Sequence, residues 1–194
     1  YEVAAEQGGY FTAAQARAAG YAYSQQQYHC DRGNWMRVDR GIFRLRDFPP
    51  AEREDLIRWS IWSRDQKGIP QAVVSHDTAL TVHDLSDVMP GRVHLTVPRG
   101  FRKRVPAGCV LHFTLLAQGE IESRPGYSVT TPMRTLIDVA GSALSQEHLD
   151  AAVREALERG LVLRSRLGTA RCEPVARMRL DRALESSRQG ETNP

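Results

Sequence analysis

The spacing of apolar residues changes period along the chain, and the changes mark out its elements. Between Phe11 and Leu45 two short helical blocks precede two short runs of strand character, Trp35-Met36-Arg37-Val38 and Ile42-Phe43-Arg44-Leu45. Ala51 to Lys67 sets Leu56, Ile57, Trp59, Ile61 and Trp62 among Glu52, Arg53, Glu54, Arg58 and Arg64, the pattern of an amphipathic helix ending before Gly68. It is expected to roof a second domain. Ser75 is placed to cap a helix over His76 to Leu85, with Ala79, Leu80 and Val82 as its apolar side. Val93 to Val97 and Val110 to Leu115 alternate with period two, so each predicts a strand with one buried face, and a third strand is expected around Tyr127 to Thr130. Thr131-Pro132 reads as a cap followed by a first-turn proline for a helix over Met133 to Ala140. Ser145 opens another, whose Leu149, Ala152, Val153, Ala156 and Leu157 form one stripe. A last helix is expected over Pro174 to Ser186, and from Ser187 the chain turns polar and frays.

Cap chemistry sharpens the first part. Thr12 and Gln15 have capping-box spacing, with Phe11 and Ala16 as the hydrophobic staple, and Ser24 with Gln27 repeats the spacing with Tyr23 and Tyr28 as its staple. Gly20 and Gly33 are placed to end the two helices in a left-handed conformation. After Gly33 the two strand-like runs flank Asp39-Arg40-Gly41, a connection suited to a hairpin. A short helix over Tyr1 to Gln7 would complete a three-helix head. Helix, turn, helix and basic hairpin together predict a winged helix-turn-helix. Asp47-Phe48-Pro49-Pro50 interrupts regular structure and is taken as the domain boundary. The expected organisation is α+β: a winged helix-turn-helix DNA-binding domain over residues 1–48, a mixed α/β domain over 49–187 and a polar tail over 188–194.

Composition narrows this picture. The 194 residues suit one domain or two small ones, and 41% hydrophobic residues are enough for an ordinary core. A net charge of +3 permits nucleic-acid binding without demanding it, so the placement of arginines matters more than the total. The three cysteines, Cys30, Cys109 and Cys172, make neither a C-x-x-C metal pattern nor an even disulfide set, which points to a reduced, cytoplasmic setting. No stretch approaches the roughly 18 apolar residues of a membrane span, and the chain does not open with a signal-peptide pattern.

A helix-turn-helix lays its second helix in the major groove. That assigns base edges to Gln25, Gln26 and His29, with Ser24, Gln27 and Tyr28 beside them and Arg32 one turn on, where it takes a phosphate or a guanine. Gln27 competes with a capping role, and His29 is read equally as packed under the wing. Arg32, Arg37, Arg40, Arg44 and Arg46 outweigh Asp31, Asp39 and Asp47, so the helix end and wing are locally positive and suited to phosphates. The helix has only Tyr28 and Cys30 as apolar members, off one face, so its inward side is not legible. A second cluster, Arg99, Arg102, Lys103 and Arg104 around Phe101, falls between two strands and is either a solvated loop or a contact for a partner or nucleic acid. Arg164, Arg166, Arg171, Arg177, Arg179 and Arg182 recur at intervals compatible with one basic face. No catalytic site, metal site or cofactor is expected. His76 and His83 share a helix side, and His94 and His112 point to one sheet face if their strands pair in register, but neither pair has a completing ligand. A protein-interaction module, or a metal-dependent hydrolase using these histidines, stand as the alternatives to a DNA-binding protein.

Several segments together carry a family resemblance. YFTAAQARAAGY, YHCDRGNWMRVDRGIFRL and FPPAEREDL come first, then VVSHDTALTVHDL, VHLTVPRG and VTTPMRTLIDVA. In this order, from about Gly9 to Leu161, the chain resembles the AbiEi antitoxins, the antitoxin half of the type IV AbiE toxin–antitoxin systems. The resemblance implies an autorepressor that binds double-stranded DNA at inverted repeats in its own promoter, as a monomer in solution or a dimer on DNA. It also implies a partner toxin of nucleotidyltransferase type, counteracted functionally with or without stable contact. Carried over by position, the DNA-facing segment is Ser24 to Arg32 with Arg37, Arg40 and Arg44. Similar sequences usually have apolar residues where Gln25, Gln26 and Gln27 open this helix.

Overall fold

The computed structural model describes residues 1–87 and 89–190. The chain divides into two compact units, Tyr1–Ala72 with Ser123–Ser128, and Val73–Glu122 with the chain from Val129 onward.

The first unit runs α1 (Glu2–Ala5), β1 (Tyr10–Thr12), α2 (Ala13–Ala18), α3 (Tyr23–Asp31), β2 (Trp35–Asp39), β3 (Ile42–Leu45) and α4 (Glu54–Trp62). Its three strands form an antiparallel sheet in the order β1-β3-β2. This is the expected winged helix-turn-helix, with β1 as a strand the sequence pattern did not separate from the helix that follows. Thr12 ends β1 and caps α2 as expected: its Oγ1 accepts from Gln15 N at 3.1 Å while Gln15 Oε1 accepts from Thr12 N at 2.8 Å. The staple pair Phe11 and Ala16 lies in one buried cluster with Ala4, Trp35 and Phe43. Phe11 meets Trp35 edge-on at 4.8 Å and stacks on Phe43 at 5.7 Å. Gly20 and Gly33 take φ of +95° and +75°, as the helix ends require. Thr12→Ala is expected to cost about 1 kcal/mol. Amide exchange in α2 would report it, and rates equal to the parent's would mean the box contributes nothing.

Two expectations for this unit are corrected. Helix α3 starts at Tyr23 with Ala22 as its N-cap, so Ser24 lies in the first turn. Gln25 Oε1 accepts from Ala22 N at 2.8 Å, and alanine has no side-chain acceptor to complete the box. The hairpin turns on Arg40-Gly41 with Asp39 paired to Ile42, because the ladder shifts register between Arg37 and Asp39.

Helix α4, expected in the second domain, belongs to this first unit. Its Ile57 and Ile61 pack with Tyr10 and Ile42. Glu54 accepts from Tyr10 Oη and from Arg44 Nη2, both at 2.8 Å. Arg44 Nη2 also reaches the carbonyls of Phe48 and Pro49, at 2.9 and 3.1 Å, which ties the proline segment to the sheet. The compact unit therefore runs past the proline pair to Ala72.

The second unit holds β4 (Val73–Val74), α5 (His76–Val82), β5 (Val93–Val97), β6 (Cys109–Phe113) and α6 to α9 (Pro132–Ala140, Gln146–Glu158, Arg164–Gly168 and Pro174–Gly190). With β7 (Ile121–Arg124) and β8 (Tyr127–Thr130) the strands make a sheet in the order β6-β5-β4-β8-β7. Strands β5 and β6 are parallel, and β4 runs antiparallel to β5 and parallel to β8. The helices share a core in which Leu80, Leu136, Val139, Leu149, Val153, Leu167 and Leu180 are essentially fully buried. Thr131 caps α6 by accepting from Arg134 N at 3.3 Å, with Pro132 in the first turn. Ser145 caps α7 through His148 N at 3.3 Å. Helix α9 continues to Gly190, beyond the expected end at Ser186; of the expected tail, residues 191–194 lie outside the described residues. No helix of the described residues is long and apolar enough to cross a membrane.

Candidate nucleic-acid interface

Helix α3 owes its orientation to a polar residue. Gln26 is only 2% exposed, and its Nε2 donates to the carbonyls of Ala13 at 3.2 Å and Tyr21 at 2.9 Å. A satisfied amide occupies the place an apolar side chain would normally take. This explains why the inward side was not legible. His29 completes the inner side, stacked on Trp35 at 4.7 Å with 18° between the rings. Tyr23, Ser24, Gln25, Gln27, Tyr28, Asp31 and Arg32 are left exposed.

Two assigned DNA contacts are therefore corrected. Gln26 is an interior residue whose donors are spent on the backbone. Arg44 is 7% exposed and committed to Glu54 and the carbonyls of Leu45, Phe48 and Pro49. Burial opposes ionisation of Glu54, but hydrogen bonds from Tyr10, Ala51 and Arg44 outweigh it and hold the carboxyl below its ordinary range. Burial and the Glu54 carboxylate push the Tyr10 hydroxyl up to about 12.

Gln27, no longer needed as a cap, stands in a polar chain on the exposed side. Its Nε2 donates to Asp31 Oδ1 at 2.7 Å and its Oε1 accepts from Arg37 Nη2 at 3.3 Å. Recognition helix and wing are thereby joined through one side chain. Arg32 lies 5.3 Å from the centre of the Tyr28 ring and Arg17 5.2 Å from that of Tyr23. Arg37 also covers Phe43 at 5.5 Å, and Arg40 is exposed at the wing turn. Arg17 and Tyr23 did not figure among the sequence candidates. Their contact spans the turn between α2 and α3 and has no periodic signal; only the lack of any Asp or Glu between Gln7 and Cys30 pointed to that segment.

The other basic clusters differ in kind. Arg99, Arg102, Lys103 and Arg104 are exposed on the segment linking β5 to the parallel β6. The arginines of the last third do not make one basic face. Arg179 Nη1 donates to the carbonyls of Ala140 and Ser142 at 3.1 and 2.8 Å, Arg177 to Leu167 O at 2.9 Å and Arg164 to Leu184 O at 2.7 Å. Arg179 and Arg177 satisfy carbonyls at or near the ends of α6 and α8, and Arg164 bonds a carbonyl within α9, a structural use of cations.

Among the histidines, His94 and His112 do share a sheet face, with His94 Nδ1 3.2 Å from His112 Nε2. His76 joins them, its ring stacked on that of His112 at 3.5 Å. His83 lies apart, with Nε2 2.7 Å from Thr130 O. Thr96 Oγ1 donates to Ser75 Oγ at 2.8 Å, and Ser75 Oγ sits 3.0 Å from His76 Nδ1. Burial, then the neighbouring imidazoles and Arg134, push the His76 imidazole down to about 3. Burial likewise lowers His94 and His112. Among the described residues no group of three or more His, Cys, Asp or Glu side chains is placed to hold a metal ion.

Comparison with known families divides the chain in a similar way. Residues 1–46 match the family described as transcriptional regulator, AbiEi antitoxin, and residues 72–185 match the AbiEi antitoxin C-terminal domain. No curated protein matches the chain.

Proposed function

Because the chain belongs to the AbiEi antitoxin family, we propose that it is a sequence-specific DNA-binding antitoxin that represses its own operon through the winged helix. In this reading Ser24, Gln25, Gln27 and Tyr28 face base edges, with the exposed edge of His29 beside them. Arg32, Arg37 and Arg40 hold phosphates. The observation that carries it is the Arg37–Gln27 hydrogen bond of 3.3 Å, which makes the exposed side of α3 and the wing one polar surface. Gln27 keeps one N–H and one lone pair for adenine N7 and N6, the bidentate pairing that specifies a base, while Asp31 and Arg37 hold its amide in orientation.

The same reading gives the protein a cytoplasmic setting, an operator of inverted repeats occupied by two copies, and a nucleotidyltransferase-type toxin as the activity it counteracts. The exposed cluster of Arg99, Arg102, Lys103 and Arg104 is a candidate contact for that partner or for nucleic acid. Gel-shift titration with the DNA upstream of its own gene tests the reading directly. Affinity no better than for random duplex at physiological salt would defeat it. Arg40→Ala is expected to weaken specific and random duplex alike and to lower the salt slope by about one; an unchanged slope would place the wing off the backbone.

A further inference from the structure

Arg17 is the only Lys or Arg between Gln7 and Cys30, a stretch that contains no Asp or Glu. Among the described residues no carboxylate pairs with it. Its guanidinium is nevertheless held: it lies 5.2 Å from the centre of the Tyr23 ring, and its Nη1 donates to Tyr23 Oη at 3.4 Å. Both side chains are exposed, Tyr23 at 65%. An exposed arginine ordinarily spends side-chain entropy when it binds an anion, and a ring beneath it removes part of that cost beforehand. The hydroxyl takes one N–H, and the ring lies beside the guanidinium carbon. The remaining donors lie in the guanidinium plane, in the fork that fits two phosphate oxygens.

We propose that Arg17 is a phosphate-contacting residue of the DNA interface and that Tyr23 is the residue that positions it. The inference rests on the reading that the winged helix binds duplex DNA. It extends the interface from α3 and the wing to α2, the helix that crosses the backbone in a helix-turn-helix complex. A phosphate is the ligand this chemistry takes: a fixed cation without a counter-ion recognises a backbone that every sequence shares, so Arg17 adds affinity and register but no base preference.

The test uses the full chain on its upstream duplex and on a random duplex of equal length, titrated between about 50 and 200 mM salt. Arg17→Ala is expected to weaken binding to both about five- to tenfold and to lower the salt slope by about one. Tyr23→Phe, which keeps the ring, should stay within about twofold of the parent, whereas Tyr23→Ala should lose about threefold. In an Arg17→Ala background Tyr23→Ala should add no further loss, which a tyrosine acting on DNA or on folding by itself would not produce. An unchanged slope in Arg17→Ala, or an equal loss from Tyr23→Ala with and without Arg17, overturns the inference while leaving the DNA-binding reading in place. A parent protein with no affinity for either duplex removes both.

Discussion

Arg44→Ala is expected to destabilise the winged-helix unit by about 3 kcal/mol while leaving the salt slope of DNA binding unchanged. The side chain is 7% exposed and bridges β3 to α4 through Glu54, with further bonds to the carbonyls that lead into the proline segment. Removing it leaves a half-buried carboxylate without its cation and two carbonyls without a donor, and the cost of unmade partners dominates such truncations. Glu54 is itself partly exposed, which keeps the figure at the lower end for buried pairs. All three tryptophans, Trp35, Trp59 and Trp62, lie in this unit, so their fluorescence in urea reads its unfolding. A loss under about 1 kcal/mol together with a slope reduced by one would return Arg44 to the DNA interface.

The pH dependence of His76 is the second large effect. Its folded imidazole, pushed to about 3, lies below the ordinary value of 6.5 in the unfolded chain. A depressed group contributes stability that is present above the unfolded value and is lost as pH falls toward the folded one. Between pH 7 and about pH 4.5 the loss from His76 alone comes to about 2.5 kcal/mol. His94 and His112 act in the same direction, with Asp77 and Arg92 as the nearby charges. Asp138, whose carboxyl burial pushes up to about 6, titrates over the same range with the opposite sign, because its folded value lies above its unfolded one. A difference measurement separates them. His76 has φ of +52°, a conformation asparagine adopts readily, so His76→Asn keeps the backbone and removes the titration. Its stability relative to the parent, followed by amide exchange in β5, should rise by about 2.5 kcal/mol between pH 7 and 4.5. A constant difference across that range would mean His76 is not shielded as its geometry indicates.

Both effects attach to residues whose roles the sequence misassigned or left open, and the reasons are physical. Arg44 sits in a run of wing arginines and looks like one of them. Its neighbours in sequence give no sign that Glu54 will stand 2.8 Å away. Gln26 sits among three glutamines of equal polarity, and only the carbonyls of Ala13 and Tyr21 decide which of them turns inward. Helix α4 has the expected apolar stripe, but a stripe does not say which surface covers it, and here that surface includes Tyr10 and Ile42. The second cap lies at Ala22 in place of Ser24, in the register in which Gln26 bonds Tyr21 O.

What the sequence determined by itself is therefore local. The Thr12–Gln15 box, the left-handed Gly20 and Gly33, the strand over Val93 to Val97 and the caps at Thr131 and Ser145 involve groups within a few residues of one another, although Leu95, Thr96 and Val97 are all buried where one buried face was expected. Their energies depend on spacing that any reader of the chain can count. Tertiary structure decided which polar side chains are interior, where α4 packs, and how Arg17 and Tyr23 meet across a turn. A polar group can be buried only if distant parts of the chain supply its partners. The exposed polar side of α3 is thus what remains after Gln26 has been taken into the core, and the candidate interface is defined by that subtraction.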